Sequence, residues 1–79
     1  MNEMIKNIGD LAVTKMRIIN RVRKDGEYAG NIRKCPTYSE FYGMTLTLKH
    51  MDIDFEIEWN LNNLDEMTAI TIMGKRFEV

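Results

Sequence analysis

Apolar residues in the first third of the chain recur at three- and four-residue steps: Met4, Ile5, Ile8, Leu11, Ala12, Met16, Ile18, Ile19 and Val22. That period is the signature of an amphipathic helix. It predicts one helix over residues 3–24, with Glu3, Lys6, Asp10, Arg17, Arg21 and Lys24 on the opposite side. Gly9 weakens the helix locally, and Asp10 offers an alternative N-cap, so two starts are compatible with the pattern. Asp25-Gly26 ends it, with Gly26 suited to the left-handed position after the last turn.

Residues 27–37 read as a connector, marked by Gly30-Asn31 and Cys35-Pro36. Residues 38–51 admit two readings. As a strand, Met44, Leu46 and Leu48 alternate with Thr45, Thr47 and Lys49. As a helix, Ser39 is the N-cap, and Phe41, Met44, Leu48 and Met51 line one face. The apolar phase slips between Leu48 and Met51, and neither Gly nor Asn is present to make a tight hairpin there. The helix is therefore the expectation.

After Met51 the period changes to two. Ile53, Phe55, Ile57 and Trp59 alternate with Asp52, Asp54, Glu56 and Glu58, which predicts a strand over 52–59. Residues 60–66 read as an Asn-rich loop, 67–73 as a second strand, Gly74 as a bulge or turn, and 76–79 as an extension of the pairing. The fold class is α+β: an N-terminal amphipathic helix, a second short helix, then a C-terminal antiparallel hairpin or small sheet. One-sided strands imply two layers. Seventy-nine residues suffice for a single domain and leave little room for a deep enclosed pocket.

Charge changes this picture. Residues 1–37 carry eight basic and four acidic side chains, a net of +4, and residues 38–79 carry three basic and eight acidic ones, a net of −5. If the helix turns its apolar arc to the sheet, its cations face away from the acidic side of the strand. The expected particle is bipolar, suited to charged partners or to head-to-tail association into a homo-oligomer. The lone Cys35 rules out an intramolecular disulfide, which suits a cytoplasmic protein. Residues 1–10 lack the apolar core of a signal peptide, and no stretch has the length of a membrane span.

Candidate chemistry is sparse. Ser39, Cys35 and His50 are each the only residue of their kind. A Cys35–His50 nucleophile and base would need a third group to orient it. His50, Asp52 and Asp54 on one strand face are spaced too widely to converge on a metal unaided. The five glycines form no phosphate loop. The expectation is no enzyme, no cofactor and no metal.

Two charged surfaces remain. The acidic strand, Asp52, Asp54, Glu56 and Glu58 with Trp59 at its end, is expected to bind a protein partner. A basic, nucleic-acid-binding protein is the natural class. As a solvated device such a strand would only prevent aggregation. The basic face, Arg17, Arg21 and Lys24 with Arg33 and Lys34, is the alternative, contacting nucleic-acid phosphates directly. Size and composition suit a small accessory protein of a phage or other mobile element. In its most concrete form this is an anti-CRISPR-like inhibitor of a host nucleic-acid-handling or defence protein, an analogy of composition and not of motif.

Overall fold

A computed structural model describes residues 2–79. Two helices precede a three-stranded antiparallel sheet: α1 (Asn2–Asp25), a 3-10 turn (Ile32–Lys34), α2 (Pro36–His50), β1 (Phe55–Asn60), β2 (Asn63–Ile72) and β3 (Lys75–Glu78). The strand order is β1-β2-β3. The α+β class, the order of elements and the helical reading of the second segment are those expected. The third strand is a full member of the sheet.

α1 runs unbroken through Gly9. Asp10 is no cap; its carboxylate accepts from Lys6 at 3.0 Å, one turn earlier. Gly9 instead marks a close approach. A side chain there would run into the ring of Phe77 on β3. The helix therefore gives up some propensity to let an aromatic ring pack against its backbone. Its exit is as expected. Gly26, at φ +67°, donates to the Arg23 carbonyl, and Glu27 donates to that of Val22. These two bonds make a Schellman cap.

The same cap closes α2 without a glycine. Asp52 sits at φ +56° and donates to the Lys49 carbonyl, while Ile53 donates to that of Leu48. Asp52 is thus a helix cap and not the start of a strand. This is the physical reason for the phase slip after Leu48. At the other end, Cys35 occupies the N-cap position and Pro36 the first turn, so Ser39 lies inside the helix.

α1 covers β2 and β3, and α2 packs alongside α1. The core contains Ile5, Ala12, Val13, Met16 and Ile19 of α1, Phe41 and Leu48 of α2, and Met67, Ile70, Ile72 and Phe77 of the sheet. Met4 and Leu11, expected inside, are half exposed. They lie roughly 120° and 140° of helical arc from Met16, whereas Val13 is only about 60° away. β2 and β3 join through Met73-Gly74, both at positive φ, with Ile72 opposite Lys75. That is the two-residue turn that best matches strand twist.

Candidate functional site: the open edge of the sheet

β1 is an edge strand, and its register defines what it presents. The Asp54 carbonyl accepts from the Met73 N–H at 2.9 Å. Phe55 lies opposite Ile72, Glu56 opposite Thr71 and Ile57 opposite Ile70. Backbone hydrogen bonding alternates along an antiparallel strand. Glu56 and Glu58 therefore bond to β2, while Phe55 and Ile57 turn their N–H and C=O groups to the free edge. Their side chains lie on the inner face, yet they are only half-buried. Their partners Ile72 and Ile70 are fully buried.

The difference arises because α2 follows α1 and leaves a cleft of about 220 Å³ beside β1. Phe41, Tyr42, Thr45 and Lys49 line it from the helix, and Phe55, Ile57 and Trp59 from the strand. Arg23 closes one end. Its guanidinium lies 5.9 Å from the centre of the Tyr38 ring and 5.8 Å from that of Trp59, and it donates to the Asp65 carbonyl at 3.1 Å. A guanidinium stacks well on aromatic faces. Tyr38 and Tyr42 are themselves parallel, with centroids 6.4 Å apart. A shallow depression beside them is bounded by Arg33 and Ser39.

Trp59 is half-enclosed, with 36% of its surface exposed. A bulge lies beside it: Glu58 faces Ala69 but Trp59 faces Met67, leaving Thr68 as an extra residue on β2. Leu61 and Leu64, at the hairpin tip beyond it, are largely exposed.

The expected four-carboxylate ladder is shorter than the alternation suggested. Asp52 caps α2 and Asp54 precedes β1, so only Glu56 and Glu58 belong to the strand. A cation does face them. Arg76 of β3 lies 2.8 Å from Glu58 and 3.3 Å from Glu78, spanning β2. The Thr68 hydroxyl donates to the same Glu58 carboxylate at 2.7 Å. Together Thr68 and Arg76 hold Glu58 below the usual carboxylate range, and Glu58 in turn raises Arg76. Glu56 is exposed and makes no ion pair with a described residue.

The basic residues divide. Arg17, Arg21 and Lys24 are exposed on α1, where Arg21 and Lys24 line a depression shared with Asn63, Asp65 and Glu66 of β2, and Arg33 and Lys34 are exposed in the 3-10 turn. None of the five bonds to a described side chain. Arg23 belongs elsewhere, on the inner arc. Arg23 could join the basic face by sequence alone, but its place is at Tyr38, Trp59 and Asp65. The signal for it, and for Asn20, is the spacing after Met16 and Ile19, which sets both polar residues on the apolar arc.

Cys35 and His50 stand at opposite ends of α2, about 22 Å apart along a helix of this length, and do not meet. Among the described residues no three His, Cys, Asp or Glu side chains converge as a metal site requires. Among the described residues no helix is long and apolar enough to cross a membrane. No protein-family model matches the chain, and neither a curated protein nor a solved structure is detectably similar to it.

Proposed function

We propose that this chain is a non-enzymatic protein-binding module whose contact element is β1 with the cleft beside it. The observation that carries this reading is the pairing of an open strand edge with half-buried apolar side chains at Phe55 and Ile57. Exposed edges invite pairing by another chain, and proteins usually blunt them. Here the edge adjoins a cleft flanked by Trp59 and Tyr42, residue types that anchor interfaces. The acidic outer side, Asp54, Glu56 and Glu58, then steers and selects. A basic, nucleic-acid-handling protein is the partner class it suits. Inhibition of such a protein is the most concrete form of the reading.

The test places a photo-crosslinking amino acid at Tyr42, beside the cleft, and at Leu11, on α1. In lysate of the source cells, the Tyr42 probe is expected to give a discrete protein adduct that survives nuclease treatment and is absent with the Leu11 probe. Adducts destroyed by nuclease, or equal labelling from both positions, overturn it.

A second reading has its own observation. The parallel Tyr38 and Tyr42 rings have Arg33 beside them, and Arg17, Arg21 and Lys24 on α1 are exposed and make no ion pair with a described residue. Single-stranded nucleic acid is bound by combinations of stacking faces and cations. Nuclease-sensitive crosslinks from Tyr42 are the result this reading requires.

A further inference from the structure

We infer that the partner binds by strand addition: an extended segment, alternating apolar with basic residues, pairs with the free edge of β1 as a fourth strand. This rests on the protein-binding reading above and specifies its mode. Phe55 and Ile57 supply two outward N–H and two outward C=O groups, which fix the register of an added strand. Alternate side chains of that strand fall on the two faces of the sheet. Those on the inner face meet the cleft, where Phe41, Phe55, Ile57 and Trp59 stand beside Thr45, Lys49 and Arg23, and its mostly apolar lining favours apolar side chains there. Those on the outer face lie beside Glu56, whose carboxylate makes no ion pair with a described residue, and beside Asp54. Opposite charges across a strand pair stabilise it and like charges oppose it.

The same charges exclude a second copy of this chain as the occupant. Antiparallel pairing of two β1 edges through Phe55 or Ile57 sets carboxylate against carboxylate in every register, Glu56 on Glu56, Glu56 on Glu58, or Asp54 on Glu56. The acidic outer side therefore blocks self-pairing and admits a basic strand. One element thus accounts for an edge that is open yet protected from its own kind.

The experiment uses the full chain and three synthetic ten-residue peptides. One alternates Val with Lys, one alternates Val with Glu, and one has the Val–Lys composition without alternation. Amide hydrogen exchange is followed by NMR at millimolar peptide. The Val–Lys peptide is expected to slow exchange at Phe55 and Ile57 at least tenfold and to leave the α1 amides unchanged. Unchanged exchange at those two amides, or equal protection by either control peptide, overturns the inference. Glu56→Lys, checked for an intact fold by circular dichroism, should transfer preference to the Val–Glu peptide; an unaltered preference overturns it. N-methylation of Ile57 by chemical ligation removes an N–H that faces away from β2. It should preserve the fold and weaken the Val–Lys peptide at least tenfold, and unweakened binding overturns the inference. A protein crosslinked from Tyr42 and indifferent to N-methylation of Ile57 would overturn strand addition while the module reading stood. Edge protection by peptide with only nuclease-sensitive crosslinks would overturn the module reading instead.

Discussion

Asn20 of α1 makes two hydrogen bonds to the backbone of Met67: its amide nitrogen donates to the Met67 carbonyl at 2.8 Å, and its oxygen accepts from the Met67 N–H at 2.9 Å. The side chain thereby acts as one residue of a neighbouring strand. β3 pairs with β2 from Ile72 to Ala69, and Val79 donates to the Thr68 carbonyl. The Met67 groups lie just past that pairing, at a buried residue, where unmet polar groups are costly. Asn20 fills the place and pins the bulge beside Trp59.

Replacing Asn20 with Leu is expected to destabilise the fold by about 2–4 kcal/mol, since two bonds go and a buried donor and acceptor are left unmet. Asn20→Asp keeps the acceptor and loses the donor, and should fall between. Urea unfolding followed by circular dichroism gives both values. A Leu variant as stable as the parent would show that Met67 finds other partners.

Gly9 gives the opposite of the usual helix rule. Gly→Ala in a helix interior ordinarily stabilises by about 1 kcal/mol. Here the added methyl meets the Phe77 ring, and overpacking of this kind costs about 1–3 kcal/mol. Gly9→Ala should therefore lower the thermal midpoint. Adding Phe77→Leu, which removes the ring, should make the second change less costly than it is in the parent.

Arg23 holds the end of the cleft. Arg23→Gln removes the cation over Tyr38 and Trp59 and weakens the bond to Asp65, at a cost of about 1–2 kcal/mol. Trp59 emission should shift to longer wavelength as the indole gains water. Arg23→Lys should not restore it, because an ammonium lacks the flat guanidinium face. Full recovery with Lys would reduce the interaction to charge alone.

Much of this fold was legible from the chain. The periods of 3.6 and 2 placed both helices and the sheet, and Gly26 and Gly74 fell where left-handed backbone was needed. Residues 60–66, expected as a loop, are strand apart from the Leu61-Asn62 turn. Three further features were not legible, the first because a helix cap is made without glycine and the other two because tertiary contacts decided them. Asp52 reads as one of four alternating acids, yet it caps a helix in a backbone state that Asp tolerates less well than Gly. Arg76 lies eighteen residues from Glu58, and only the third strand brings them together. The cleft arises from α2 standing beside α1 instead of over β1, which no local pattern reports. Of the residues expected to bind a partner, Asp54, Glu56, Glu58 and Trp59 lie on or beside the open edge. Asp52 is tied to the end of α2.

The basic face of α1 should be dispensable for folding. Arg17, Arg21 and Lys24 are exposed and make no ion pair with a described residue, and such charges are usually worth less than about 1 kcal/mol. Changing all three to Gln should leave the urea midpoint nearly unmoved. The same variant separates the two functional readings: it should retain a protein partner held at β1 and lose single-stranded nucleic acid bound through α1. Loss of both would indicate one surface spanning α1 and the cleft.

Glu56 and Glu58 sit two residues apart on the same face, and their neutral variants should behave differently. Glu58 is held by Thr68 and Arg76, so its folded pKa lies below its unfolded value, which is about 4.3 for an ordinary glutamate. Its contribution to stability is complete above that unfolded value and is lost as pH falls through the folded one. Glu58→Gln should therefore lower the urea midpoint at neutral pH and have little effect well below pH 3. Glu56→Gln removes from an acidic edge a charge with no ion pair among the described residues, and should leave the neutral-pH midpoint unchanged or slightly higher. A carboxyl titration by NMR checks the cause, because Arg76→Gln should raise the Glu58 midpoint toward the ordinary value. If Glu58→Gln were as benign as Glu56→Gln, the bridge across β2 would contribute nothing. The two carboxylates would then be equivalent members of a solvated acidic row.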